Sequence, residues 1–128
     1  MSTMNRENNR AVWFDIPVAD LDRAVTFYSE VLAIDVSQEA FGDMKFAVLA
    51  HADGNGGCLV PRPEEVAADR GILLYLNVHA RIRDAVAKVT ANGGTVTEDV
   101  HSIGPHGFRA LILDSEGNRL ALHSDSDE

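Results

Sequence analysis

The sequence predicts an α+β fold of two βαβββ modules, which form an eight-strand, half-open barrel-like sheet with helices on its convex side. Three observations predict it: the chain repeats a strand-then-helix pattern, strand-like runs follow each helix, and one face of each module's first strand is entirely apolar. A repeat present only twice indicates a duplicated supersecondary unit, because a solenoid needs more copies.

The first module opens with AVWFDIPVADLDRAVTFY, in which an apolar run ends at Val18 and Asp20 is expected to cap the following helix. Apolar residues then recur at the three- and four-residue spacing of an amphipathic helix. They are Leu21, Ala24, Val25, Tyr28, Val31 and Leu32. The segments IDVSQEAF, MKFAVLA and GGCLV follow as three strand candidates, separated by Gly and Asp turn signals.

The second module repeats this order. ILLYLNV is a strand candidate that ends at Val78, and a helical pattern follows in which Gly93 or Gly94 forms a left-handed end. Its apolar positions are Ile82, Ala85, Val86 and Val89. TVTEDV, FRALILD and RLALHS are the next strand candidates. The last two form a hairpin around DSEGN, where Gly and Asn tolerate a positive φ.

The repeat also divides the chain. We expect a polar N-terminal extension, a first module, a linker, a second module and an acidic tail, at residues 1–10, 11–60, 61–70, 71–124 and 125–128. A ferredoxin-like βαββαβ fold is the alternative. It leaves too many strand candidates unplaced between the two helices, so we place it second.

Composition limits the classes of partner. The net charge of −9 repels phosphate backbones, which argues against nucleic acid as a partner. No apolar run approaches the ~20 residues of a membrane-spanning helix, so we expect no membrane partner. The start of the sequence, MSTMNRENNR, lacks the apolar core of a signal peptide, and the single cysteine, Cys58, cannot form an internal disulfide. These features predict a cytoplasmic protein.

Two segments resemble a known family. VWFDIPVADLDRAVTFY is similar to the first strand and helix of the vicinal oxygen chelate superfamily, which includes glyoxalase I, bleomycin-resistance proteins and extradiol dioxygenases. DSEGNRLAL resembles its closing hairpin, usually D-P-x-G-N, with Ser115 where proline is common. The resemblance covers nearly the whole chain past the first ten residues. It implies the fold and leaves the activity open, because this fold hosts isomerases, oxygenases and binding proteins.

The resemblance also implies where a metal would bind. In the family's enzymes, His, Gln or Glu from the first and last strand of each module hold a metal on the concave face. Carried over, these positions fall on Trp13, Leu73 and Ala121, with Cys58 the only conceivable ligand in GGCLV. Trp, Leu and Ala offer no lone pair to a divalent metal. We therefore expect no cofactor, and a divalent metal could bind only through other ligands.

Strand alternation predicts which side chains line the concave face. The apolar face of Phe14, Ile16 and Val18 should pack on the helices, so the concave face takes the alternate positions. Those positions are Trp13, Asp15, Leu73, Tyr75, Asn77, Arg119, Ala121 and His123. An apolar floor with a few polar groups is the composition of a small-molecule pocket.

Each candidate has a predicted role. The ligand-binding residues would be Trp13, Tyr75, Asn77, Arg119 and His106, the last as a lid-like contact from the GPHG loop. The catalytic candidates are Asp15 and His123, each as a general base. The structural alternatives remain open: Trp13 packs in the core, Asp15 pairs with Arg119, the histidines lie on the surface, and Cys58 is a small buried residue.

Three functions follow from these residues. The first is a metal-free small-molecule-binding protein, for which the net charge of −9 favours a cationic or amphipathic ligand. The second is a lyase, isomerase or dioxygenase-like enzyme with a displaced metal or a metal-free Asp or His base. The third is a structural partner with a vestigial concavity. A homodimer is expected in each case, formed by whole chains or by exchanged modules.

Overall fold

The computed structural model describes residue 9 and residues 11–128, and its elements follow the predicted repeat. The first half comprises β1 (Asp15–Val18), α1 (Leu21–Leu32), β2 (Val36–Phe41), β3 (Met44–Leu49) and β4 (Cys58–Pro61). The second half comprises β5 (Leu74–Asn77), α2 (Ile82–Ala91), β6 (Thr95–Ser102), β7 (Phe108–Leu113) and β8 (Arg119–Ser124). The predicted βαβββ plan is confirmed in both halves, and the ferredoxin-like alternative is wrong.

The strands form two four-stranded sheets, in the orders β1-β4-β3-β2 and β5-β8-β7-β6. In each sheet the first and last strands of the module are parallel neighbours, and the other pairs are antiparallel. The sequence predicted one continuous eight-strand sheet, with β1 and β5 side by side at the junction. Within the described chain, no hydrogen-bonded ladder joins these two edge strands.

Backbone chemistry explains the break between β1 and β5. The carbonyls of Phe14 and Val18 accept hydrogen bonds from the residues of and after β4, so the alternate backbone groups of β1 face the junction. One of these residues is Pro17, which has no N–H to donate. Its carbonyl accepts instead from the side-chain amide of Asn118, at 2.7 Å. The edge of β1 that faces the junction therefore has few backbone groups available to hydrogen-bond with β5.

The core lies between the sheets and the two helices, as the strand faces predicted. Ile16, Val18, Leu76 and Val78 are buried in one cluster with apolar residues of both helices, and Phe14 packs against that cluster. The helical members are Ala24, Phe27, Tyr28, Val31, Ile82, Ala85 and Val89. We call the sheet surface away from the helices the concave face.

The helix ends agree only partly with the sequence. Asp20 caps α1 as predicted, since its carboxylate accepts from the N–H of Arg23 at 3.0 Å. Gly93 follows α2 with a φ of 88°, also as predicted. No glycine marks the end of α1 in the sequence, because the residue in the left-handed position there is Ala33, with a φ of 55°.

Two short 3₁₀ helices lie in the connections between the strands. β4 reaches Pro61, one residue into the predicted linker, and a short 3₁₀ helix follows at Pro63–Glu65. A second 3₁₀ helix, Gly104–His106, joins β6 to β7. Apart from residue 9, the predicted N-terminal extension lies outside the described residues. No helix in the described part of the chain is long and apolar enough to cross a membrane.

Candidate functional site

A polar cluster occupies the concave face of the second module. Its members come from four strands: Tyr75 from β5, His123 from β8, Arg109 from β7 and His101 from β6. Arg109 lies opposite His123 and His101 in the strand register, which puts all three side chains on one face. Asn77 is the register partner of His123 on the other side, so Tyr75, two residues earlier, shares this face.

Arg109 is the centre of this cluster. Its Nη1 donates to the hydroxyl of Tyr75 at 2.6 Å, and its Nε donates to Nε2 of His101 at 3.1 Å. Nδ1 of His101 lies 2.8 Å from the carbonyl of Asp99 and can only donate to it. These two contacts assign the neutral tautomer of His101 that carries its proton on Nδ1.

His123 is held by the loop before β7. Its Nε2 donates to the carbonyl oxygen of His106 at 2.7 Å, and its ring centroid lies 6.4 Å from that of Tyr75. His106 thus contacts His123 through its backbone, while its side chain is exposed. The loop also packs closely against the end of β8 at Gly107, where a Cβ would lie 2.5 Å from the carbonyl oxygen of Ser124. As a general base, His123 would have only Nδ1 to offer.

In the first module, Trp13 and Asp15 both lie beside the thiol of Cys58. The indole of Trp13 meets the ring of His51 edge-on, with centroids 5.8 Å apart. The carboxylate of Asp15 accepts from Sγ of Cys58 at 3.2 Å. Burial of Cys58, with this hydrogen bond to Asp15 as the next cause, raises the pKa of the thiol to about 11. Cys58 is therefore a protonated thiol at neutral pH.

Asn77 and Arg119 bond to the backbone. Oδ1 of Asn77 accepts from the N–H of His79 at 2.9 Å, and Nη2 of Arg119 donates to the carbonyl of Gly71 at 3.2 Å. Nε of Arg119 is buried and has no hydrogen-bond partner among the described residues. Within that part of the chain, Arg119 forms no ion pair with Asp15, so the predicted structural pair of these two residues is not formed.

Two clefts flank the junction between β1 and β5. One has a volume of about 300 Å³ and is lined by Asp15, Arg119 and residues of the linker. The other has a volume of about 390 Å³ and is lined by Tyr75, Asn77 and residues near the end of β3. Trp13, His106 and His123 line neither cleft. The predicted residues thus surround the junction without converging on one pocket, because β1 and β5 are unpaired there.

Sequence reasoning missed two members of the polar cluster. Arg109 could have been found, because alternation in FRALIL puts it on the face opposite the buried residues Ala110 and Ile112. His101 could not have been found in this way. Its strand, β6, contains register shifts on both sides of Glu98, which break the alternation that would place His101.

The side chains present do not fit the family's metal. Ala121, at the position carried over from the last strand, is fully buried and has no donor atom, and Leu73 and Trp13 likewise provide none. Cys58 is a protonated thiol bonded to Asp15. Among residue 9 and residues 11–128, no three His, Cys, Asp or Glu side chains are grouped so that they could hold a metal ion.

Comparisons with solved structures agree with this architecture. A hypothetical protein from S. aureus has a TM-score of 0.71 at 17% identity, over 91% of this chain and 94% of that chain. The fosfomycin resistance protein FosX from Listeria monocytogenes has a TM-score of 0.68 at 11% identity, over 91% of this chain and 93% of that chain. At these identities the likeness shows a shared fold.

Sequence comparisons show the family. A "Glyoxylase-like domain-containing protein" of Didymella fabae is 30% identical over 115 residues, which cover 84% of this chain and 88% of that protein. The family model described as Glyoxalase/Bleomycin resistance protein/Dioxygenase superfamily matches residues 10–122. This match extends from before β1 into β8 and includes both modules. The chain therefore belongs to the glyoxalase/bleomycin resistance protein/dioxygenase superfamily.

Proposed function

We propose that this protein binds a small organic molecule on its concave face without a metal. The observation that carries the proposal is the state of Tyr75, which is 44% exposed although its hydroxyl is engaged by Arg109. An exposed aromatic ring held in place by a polar cluster is a pre-organised contact surface for a ligand. The missing donors at Trp13, Leu73 and Ala121 support binding that does not depend on the family's metal.

The residues around the junction would make different kinds of contact with the ligand. Tyr75 and Trp13 supply aromatic area, and each aromatic pair with a ligand ring contributes about 0.5–1.5 kcal/mol beyond burial. Asp15 is exposed and its carboxylate has acceptor capacity beyond the bond from Cys58. It would orient a cationic or hydrogen-donating group, and Asn77 would contribute its free amide N–H groups.

A thermal-shift screen with small metabolites and drugs tests this proposal, because a ligand that binds only the folded state raises its unfolding temperature. Hits are then titrated against Trp13→Ala, Tyr75→Ala and Asp15→Asn proteins. The matched control is Phe41→Ala, since Phe41 is an aromatic residue 80% exposed and outside both clefts. We expect the two aromatic truncations to weaken binding and the control to leave it unchanged. Equal binding by all four variants would place the site elsewhere.

The same hits distinguish binding from catalysis. If His123 acted as a general base, His123→Gln protein would lose turnover of a bound hit and keep its affinity. A protein that only binds shows no turnover in either form. We expect the second result, because His123 lines neither cleft in the described structure and has only Nδ1 left to accept a proton.

A further inference from the structure

Six of the nine described lysine and arginine side chains are ion-paired, in a chain with 20 acidic and 11 basic residues. The paired members are Arg23, Arg62, Arg70, Arg81, Arg83 and Lys88. Among the residues the structure describes, only Lys45, Arg109 and Arg119 have no carboxylate partner. Both arginines of this unpaired set lie on the concave face of the second module. No carboxylate of the described residues forms an ion pair with either arginine there.

Arg109 has donors left over after its two contacts. A guanidinium carries five N–H groups, of which Arg109 uses one on Nε and one on Nη1 within the described structure. Both acceptors are neutral, so neither cancels its charge. Glu98 shares this face by register through Leu111, but its carboxylate forms no ion pair with Arg109 in the described chain.

The neighbours of Arg109 also present donors to a ligand. The Tyr75 oxygen accepts from Arg109, which leaves its own O–H free to donate outward. The acceptor nitrogen of His101 is occupied by Arg109 as well. The cluster therefore offers a fixed positive charge and a hydroxyl donor beside it, the acceptors of Tyr75 and His101 are taken by Arg109, and Nδ1 of His123 is the acceptor left over within the described structure. Such a site favours a ligand group that is negative and accepts hydrogen bonds.

We propose that Arg109, assisted by the Tyr75 hydroxyl, holds an oxyanion of the bound ligand, either a carboxylate or a phosphate. This rests on the proposed function and names the chemical class of its ligand. The sequence favoured a cationic ligand because of the net charge of the whole chain. At contact distance, however, the nearest charge outweighs distant ones, which solvent and salt screen.

Paired probes of equal size test the sign of the ligand charge. Benzoate and benzylamine share a ring and differ in charge, and inorganic phosphate separates phosphate from carboxylate recognition. Each is titrated into ¹⁵N-labelled protein and followed by amide chemical shifts, for wild type, Arg109→Gln, Arg109→Lys and Tyr75→Phe. Arg83→Gln is the matched control, since it removes an arginine paired with Asp127 on the helix side. Unchanged shifts away from the cluster show that each variant is folded.

We expect benzoate, phosphate or both to shift the amides around Tyr75, Arg109 and His123. Arg109→Gln should weaken that binding about tenfold, as the loss of a charge-assisted hydrogen bond implies, and Arg109→Lys should restore part of it. Arg83→Gln should bind as wild type does. Benzylamine binding with equal affinity, undiminished oxyanion binding by Arg109→Gln, or no shift with either oxyanion would each overturn the proposal.

The two proposals fail in different ways. If screen hits bind in a Trp13- and Tyr75-dependent manner while Arg109→Gln leaves all affinities unchanged, the oxyanion proposal is wrong and small-molecule binding on the concave face stands. If no compound binds there, the proposed function itself is wrong.

Discussion

The hydroxyl of Tyr28 in α1 donates to Oδ2 of Asp114 in the β7–β8 turn at 2.5 Å, and this buried bond joins the two modules. The other oxygen of Asp114 accepts from the backbone N–H groups of Glu116 and Asn118, at 2.9 and 2.8 Å. Burial, with the charge of Asp114 as the next cause, raises the pKa of Tyr28 well above its usual value. The DSEGN turn is therefore a clamp that holds the second module against α1.

Removing the Tyr28 hydroxyl should destabilise the protein. Tyr28→Phe leaves the buried carboxylate of Asp114 with one donor fewer, which costs about 1–3 kcal/mol of the free energy of unfolding. Urea unfolding measures the loss. Tyr75→Phe is the matched control, because its hydroxyl lies on the exposed concave face and should cost less than about 0.5 kcal/mol. Equal losses in the two variants would show that the hydrogen bond from Tyr28 to Asp114 contributes no more to the free energy of unfolding than an exposed hydroxyl does.

Glu116 should make stability fall in acid. Burial alone raises the pKa of Glu116, but hydrogen bonds from Arg23 and from the N–H groups of Asp20 and Ala19 outweigh it and hold the pKa at about 2, below the usual 4.5. Because the folded-state pKa is depressed, this contribution is present above about pH 4.5 and is lost as the pH falls towards 2.

Unfolding measured between neutral and acid pH tests this linkage. The contribution is less than about 3 kcal/mol, because the partner Arg23 is half-exposed and solvent screens part of the interaction. Glu116→Gln should remove it and flatten the pH dependence in that window. Glu98→Gln, at an exposed carboxylate with no ion pair in the described chain, should keep the wild-type slope. An unaltered slope in Glu116→Gln protein would refute the assignment.

Cys58 should be unreactive in the folded protein. Because the thiolate is the nucleophile and the pKa of Cys58 is raised to about 11, an aromatic disulfide reagent at mildly alkaline pH should modify it only after unfolding. Asp15→Asn removes a charge that favours the protonated thiol, so the modification rate should rise. Asp69→Asn, in the exposed linker, is the control. Rapid modification of folded wild-type protein would contradict this assignment.

We expect the protein to form a homodimer. Phe41 and Ile72 are 80% and 94% exposed, and large apolar side chains left in water favour burial against a partner. Light scattering should give twice the 13.9 kDa chain mass at micromolar concentration. Phe41→Ser and Ile72→Ser proteins should shift towards the monomer. A wild-type mass of one chain would count against the dimer.

The sequence predicted what depends on local periodicity. The burial of Ile16 and Val18 and the exposure of Asp15 follow from two-residue alternation, which the backbone imposes on any strand. The cap at Asp20 and the left-handed Gly93 were likewise predictable, because each depends on the chemistry of one residue and its neighbours.

Long-range contacts were beyond that reasoning. The bond from Asn118 to the carbonyl of Pro17 joins residues 101 positions apart and separates β1 from β5. No local sequence pattern indicates this hydrogen bond, so the two clefts that divide the predicted site could not be predicted. The turn around Asp114 was recognised as a hairpin, while its role as a clamp depends on Tyr28, 86 positions away.

We propose that the concave face works without the family's metal, since Trp13, Leu73 and Ala121 provide no ligand atoms. Elemental analysis tests this most directly. The protein is incubated with Zn²⁺, Ni²⁺, Mn²⁺ or Fe²⁺, dialysed, and measured for bound metal per chain. We predict far less than one ion of any of these metals per chain. Retention of about one ion per chain after dialysis would contradict the claim and make Asp15 and His123 the first ligands to test.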